Sequence, residues 1–157
     1  MQPEQSGAQL HWRALERLYA SAPVNKLFNS TLSVLEQGEA RITFTVDESC
    51  FHAGGAAHGT IYFKMLDDAA FYAANTLVSD RFLLTTSFNL HFTKPVSAGQ
   101  VVAEGRWVSG RRRVFVAESR LIDSEGDEIG RGTGTFMRSH IPLSGLKGYA
   151  SFSGPTG

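Results

Sequence analysis

The sequence is poor in the features that mark secreted, membrane-spanning or nucleic-acid-binding chains. It holds one cysteine, Cys50, in 157 residues; no disulfide can form within the chain, and a reducing, cytoplasmic setting is expected. No apolar run approaches the ~20 residues that cross a bilayer. Residues 1–7 lack the basic segment and apolar stretch of a secretory signal, so no membrane association is expected. Lys and Arg number 15, as do Asp and Glu; without a basic surplus, nucleic acid is not an expected partner. What is present is a 42% hydrophobic share, too high for a disordered chain, on a length that suits one domain over residues 1–157.

The apolar residues recur at two spacings. Over residues 8–20, Trp12, Leu15, Leu18 and Tyr19 fall at helical intervals among Arg13, Glu16 and Arg17. This predicts a short amphipathic helix that Ala22-Pro23 ends. Residues 31–35 and 41–46 are β-rich and flank Gln37-Gly38, a hairpin pattern. Small residues fill 51–59. Residues 60–78 contain neither glycine nor proline and are apolar around most of the helical circumference, as in a helix buried inside a domain.

From Phe82 the period falls to two. Phe82, Leu84, Thr86, Phe88, Leu90 and Phe92 share one face; Thr85, Ser87, Asn89, His91 and Thr93 share the other, until Lys94-Pro95 ends the strand. Residues 100–108, 113–122 and 128–138 read as three more strands joined by turn sequences. The stretch 141–157 is rich in Gly and Ser and is expected to be a loose tail. The prediction is an α+β domain, with an antiparallel sheet of five to six strands around one long central helix and a core over about 29–138. Such a sheet leaves an edge strand and part of the helix uncovered, and a second copy of the chain would cover both.

Two adjacent acids, Asp67 and Asp68, lie on the central helix. Asp68 shares a narrow polar sector with Lys64 and Asn75, which predicts a solvated or surface-paired carboxylate. Three of the four residues three or four positions from Asp67 (Phe63, Ala70 and Phe71) are apolar, Lys64 being the other. Desolvation there would raise its pKa and make it a better base; an acid at the polar boundary, capping a loop or pairing with arginine, is the alternative.

The helix is expected to begin near His58-Gly59-Thr60, with backbone N–H groups at the positive end of the helix dipole. Gly59, lacking a side chain, would let a carbonyl approach its N–H as in an oxyanion hole, or serves only the turn. Eight positions separate Gly59 from Asp67, about 12 Å at ~1.5 Å per residue. If both act on one carbonyl, they come from two copies whose helices run antiparallel. His52 and His58 lack the further ligands of a metal site, so no metal is expected. Cys50 reads as a small buried hydrophobe. Gly110-Arg111-Arg112-Arg113 is the one concentrated basic patch, a solvated hairpin tip or a phosphate site, with Arg111 and Arg113 on one face if they begin a strand.

Taken together, these segments resemble the hotdog-fold acyl-CoA thioesterases of the phenylacetate-degradation (PaaI-like) group over roughly residues 29–138. The resemblance rests on His58-Gly59-Thr60 followed by an apolar run and Asp67, on the stretch from Ser87 to Lys94-Pro95, on Gly110-Arg111-Arg112, and on Gly130-Arg131-Gly132-Thr133-Gly134. It implies hydrolysis of an acyl-CoA by a homodimer or homotetramer, with no cofactor beyond the coenzyme A of the substrate. It also implies that the Gly59 amide polarises the thioester carbonyl beside His58, and that Asp67 of the opposing subunit activates water or attacks directly. His52 stands where relatives carry a polar side chain such as Asn. Thr85 stands where some carry a hydroxyl that holds the water, although the alternation puts Thr85 opposite Phe82 and Leu84, so that a bulge or twist is needed to aim it. Arg111 and Arg113 become candidates for the coenzyme A phosphates. Thr60 departs from the second glycine of the family pattern. A non-catalytic hotdog module that binds acyl-CoA or an aromatic ligand is the alternative; the site spacing of hotdog dehydratases is not seen.

Overall fold

The computed structural model describes residues 4–150. The chain runs α1 (Gly7–Ser21), β1 (Ser30–Glu36), β2 (Glu39–Val46), α2 (Gly59–Asn75), β3 (Arg81–Phe92), β4 (Gly99–Ser109), β5 (Val114–Ile122), β6 (Glu128–Pro142) and a last helical turn, α3 (Lys147–Ala150). The six strands form one antiparallel sheet in the order β1-β2-β4-β5-β6-β3. This is the expected α+β arrangement, with α2 packed against β2, β3, β4, β5 and β6. Among the described residues, no helix is long and apolar enough to cross a membrane.

Small side chains let α2 sit close to the sheet. Ala69, Ala70, Ala73 and Ala74 are fully buried. Across from them a Cβ on Gly105 of β4 would lie 2.0 Å from the Ala69 carbonyl oxygen, so only glycine fits. Ser119 of β5 donates to the Leu66 carbonyl at 2.7 Å. Close approach of this kind maximises dispersion contacts along the whole helix. The helix stops at Asn75 rather than running to residue 78. The Asn75 amide donates to the Val78 and Arg81 carbonyls and accepts from the Leu83 N–H, which turns the chain directly into β3.

The two edges of the sheet are treated differently. At β1, the Val34 N–H donates to Glu16 and the Val34 carbonyl accepts from Arg13, so a paired acid and base on α1 satisfy the edge in place of another strand. The other edge is β3, which among the described residues pairs only with β6.

Strand β3 departs from simple alternation. Its register with β6 shifts between Arg81 and Leu83 and again between Thr85 and Ser87. Phe82 therefore packs on Phe71, Leu83 is fully buried and Leu84 turns outward at 45% exposure. The second shift is a bulge at Thr86, an extra residue that reverses the parity of the rest of the strand. Thr85 ends up on the α2 side, as do Phe88 and the residues that alternate with it.

Residues 141–150 are not the loose tail expected from composition. β6 continues to Pro142 and Leu143 is fully buried, its N–H bound to the Asp80 carbonyl. Tyr149 of α3 meets His11 of α1 at 2.8 Å, and the other ring nitrogen of His11 reaches the Asn75 carbonyl at 2.9 Å. These apolar and polar anchors outweigh the Gly- and Ser-rich composition. The remainder of that stretch, 151–157, lies outside the described residues.

Candidate active site

The loop before α2 is closed by backbone bonds. Phe51 and Ala57 bridge, the His52 N–H donates to the Ala56 carbonyl, and the His58 N–H donates to the Cys50 carbonyl. His58 then caps α2: its Nδ1 accepts the Thr60 N–H at 3.0 Å, and its carbonyl accepts the Ile61 N–H at 2.9 Å. With those donors taken, the Gly59 N–H is left with no acceptor among the described residues, at the positive end of the helix dipole. Access to it is kept by the missing side chain, because a Cβ there would stand 3.2 Å from Phe92 Cζ.

Both histidines of the loop are held the same way. His52 Nδ1 accepts the Gly54 N–H at 2.9 Å, as His58 Nδ1 accepts from Thr60. An Nδ1 that accepts leaves the neutral ring's proton on Nε2, so each exposed ring presents a donor at the mouth of the loop. The Thr60 hydroxyl lies 3.0 Å from His58 Nδ1 and helps fix that ring.

Asp67 is two turns further along α2 and half-buried. Its Oδ1 accepts from the Thr85 hydroxyl at 2.9 Å; the β3 bulge supplies the aim that alternation alone denies. Burial pushes its pKa from the ordinary 3.8 up to about 6; the Thr85 hydrogen bond opposes the rise, the Asp68 charge adds to it and Lys64 subtracts. Asp68 takes the paired rather than the solvated alternative, and is more covered than a surface acid. It pairs with Lys64, whose ammonium also donates to Asn25 and faces the Tyr19 and Phe28 rings. The 3₁₀ turn Pro23–Leu27 brings Asn25 there, a covering that no property of the α2 sequence reveals.

Asp67 and Gly59 are not together in one chain, because the helix between them is unbroken and spans about 12 Å. Thr60, Phe63 and Asp67 follow one another along the uncovered side of α2; Phe63 is 41% and Phe92 49% exposed. Arg111, Arg112 and Arg113 lie in the β4–β5 turn, with β5 starting only at Val114. They therefore do not share a strand face. Arg111 stacks on Trp107 with its guanidinium carbon 4.3 Å from the ring centroid. That turn sits at the far end of α2 from Gly59, since the Trp107 N–H donates to the Gly38 carbonyl and the Gly38 N–H to Thr76 Oγ1.

Residues 54–129 match the model of the thioesterase superfamily. The chain has the hotdog fold, and the span holding the site matches the thioesterase superfamily. This span runs from the loop before α2 to the start of β6 and contains Gly59, Asp67 and Thr85. A protein of Saccharolobus solfataricus provisionally named an esterase is 29% identical over 103 residues, covering 66% of this chain and 69% of that one. The Escherichia coli PaaI protein of the phenylacetic acid degradation operon superposes with a TM-score of 0.78 at 17% identity, over 87% of this chain and 99% of that one. A Streptococcus mutans protein solved with acetyl-CoA bound gives 0.65 at 19% identity, over 71% and 89%. At such identities the structural likeness is one of fold.

Sequence reasoning passed over Lys94, Tyr62 and Phe92, which surround the first turn of α2. Lys94 registered only as the stop of a strand, because the acids that bind it are some 30 positions away in the chain.

The raised pKa of Asp67 has a sign that a stability measurement can check. A carboxyl whose folded pKa lies above its unfolded value favours folding when protonated, so stability falls as pH rises from about 4 to about 6. Asp67→Asn removes that cost. The variant is expected to be more stable than the parent at pH 8, by on the order of 2 kcal/mol, with the difference closing by pH 4 in urea unfolding.

Proposed function

We propose that the chain hydrolyses acyl-CoA thioesters to the free acid and coenzyme A, at a site built between two copies. The observation that carries this reading is the pairing, on one uncovered helix face, of a desolvated carboxylate with an uncommitted amide. Asp67 is held by Thr85, and burial pushes its pKa up to about 6; the Gly59 N–H has no acceptor of its own among the described residues. The thioesterase-superfamily match over the same residues supports the reaction class. The acetyl-CoA bound to the Streptococcus mutans protein of like fold supports the substrate class.

Two copies with antiparallel α2 helices bring Gly59 of one abreast of Asp67 of the other. The two-fold axis then falls midway between those positions, at Phe63, which accounts for an exposed phenylalanine on a helix whose other large apolar side chains are buried. Each pair of chains has two such sites.

In the reaction, the thioester carbonyl oxygen accepts from the Gly59 N–H. Asp67, ionised above pH 6, takes a proton from water as the water oxygen bonds to the carbonyl carbon. The resulting oxyanion is held by the same amide, whose preorganised dipole needs no rearrangement. Collapse breaks the carbon–sulfur bond, and the proton on Asp67 goes to the departing thiolate. The Nε2–H of His58 or His52 lies at the mouth of the loop to orient water or the carbonyl. Arg111 and Arg113 of the copy that lends Asp67 lie beyond it, toward the C-terminal end of its helix. A site there suits phosphates, which the pantetheine arm keeps well away from the thioester.

A panel of short, medium and aryl acyl-CoAs with a thiol-detecting reagent tests turnover. Asp67→Asn is expected to lower kcat by about 10²–10⁴-fold, the range of a lost general base. The parent's kcat should fall tenfold per pH unit below about 6. Asp68→Asn should change kcat little although it unpairs Lys64; a loss matching that of Asp67→Asn contradicts the assignment.

Arg111→Ala should raise KM for acyl-CoA by about tenfold, one lost charge-assisted contact. It should leave a short thioester without the nucleotide unchanged; equal losses on both remove the phosphate contact.

A further inference from the structure

One ion cluster stands outside the site described so far. Lys94, two residues past β3, places its ammonium 2.6 Å from Asp123, 2.8 Å from Glu125 and 3.1 Å from Asp127, all in the turn between β5 and β6. That turn is shaped before the lysine arrives. Asp123 accepts the N–H groups of Glu125 and Asp127, and its own N–H donates to the Asp127 carbonyl. A single exposed ion pair contributes little, but one cation shared by three carboxylates on a preformed turn forms a network with less side-chain entropy to lose per contact.

What the lysine holds is the support of the first turn of α2. The Lys94 carbonyl accepts from the Tyr62 hydroxyl at 2.8 Å, and the Val96 carbonyl accepts from the Ala57 N–H at 2.8 Å. Phe92 stacks on Tyr62 with centroids 4.6 Å apart and reaches the space beside the Gly59 Cα. The segment 92–96 thus touches the loop and helix on both sides of Gly59, while Lys94 anchors it to the sheet.

We propose that Lys94 is a positioning residue: clamped by Asp123, Glu125 and Asp127, it acts through Tyr62 and Ala57 to hold the Gly59 amide in place for the carbonyl. This rests on the hydrolytic reading only for its effect on rate; the mechanical part stands on the contacts themselves. Loss of the clamp loosens segment 92–96 beyond the Thr93 N–H to Ile129 carbonyl bond that still ties it to β6 and lets the amide shift, and misplacement of a catalytic group by ~1 Å costs up to about 100-fold.

The test combines exchange and kinetics. Lys94→Met should speed amide hydrogen exchange across residues 57–62 at least tenfold, with exchange in β1 and β2 unchanged. It should also lower kcat between about 10- and 100-fold with KM within twofold, and Lys94→Arg should restore both. If Lys94→Met does not fold, the double variant Glu125→Gln, Asp127→Asn leaves Asp123 to shape the turn and should give the same two changes. Unchanged exchange at 57–62 overturns the proposal, as does faster exchange with parental kcat. A parent that turns over no acyl-CoA removes the hydrolytic reading and still leaves the exchange result to decide whether the clamp positions Gly59.

Discussion

A single unbroken helix carries both the amide at Gly59 and the carboxylate at Asp67, and its rise per residue sets them about 12 Å apart. Neither group can be bent toward the other, because Gly59 belongs to a backbone locked by the His58 cap and Asp67 is tethered to Thr85. The chemistry proposed for them therefore makes association part of the site. Under that proposal, a lone chain holds half of each of two sites.

Other features of the fold fit that constraint. One sheet edge is closed by Arg13 and Glu16 of α1, whereas β3, the strand beside Asp67, has a neighbour on one side only. Along the uncovered side of α2, Thr60, Phe63 and Asp67 fall on a line that an antiparallel copy would cover. Covering it also removes water from Asp67. Desolvation already dominates its pKa in the single chain, so a second copy pushes in the same direction and makes the carboxylate a stronger base. The other acid, Asp68, is kept out of this by a lysine partner and a covering turn, which gives two adjacent carboxylates different work.

The architecture was legible because α2 lacks helix breakers and the strands alternate. The order of local signals places α1, α2 and the six strands to within a few residues. Asp67 stood out because its apolar neighbours lie on its own helix, where wheel geometry applies. The covering of Asp68 and the place of Arg113 were not legible: Asp68, paired with Lys64 as expected, is covered by residues from the Pro23–Leu27 turn, and Arg113 precedes a strand that begins one residue later than alternation implies. Thr85 needed a bulge, and a bulge depends on pairing with β6, which the β3 sequence does not record. Lys94 escaped notice because its partners come from a distant turn. Residues 141–150 looked loose by composition, yet Leu143 is fully buried and Tyr149 meets His11 of α1. Apart from the start of β5, what was missed is a contact between segments far apart in the chain.

Subunit mixing tests the shared site most directly. Asp67→Asn leaves Gly59 intact, and Gly59→Pro removes the amide donor at a helix position where proline is tolerated and after a residue, His58, already in extended conformation. Each variant alone, once shown to fold, should be inactive. In a mixed pair, one site combines both defects and the other combines neither, so random exchange at equal ratio should restore about a quarter of parental kcat on acyl-CoA. If mass measurement verifies exchange and the mixture stays as inactive as its components, the two groups do not meet across chains, and the account of this site is wrong.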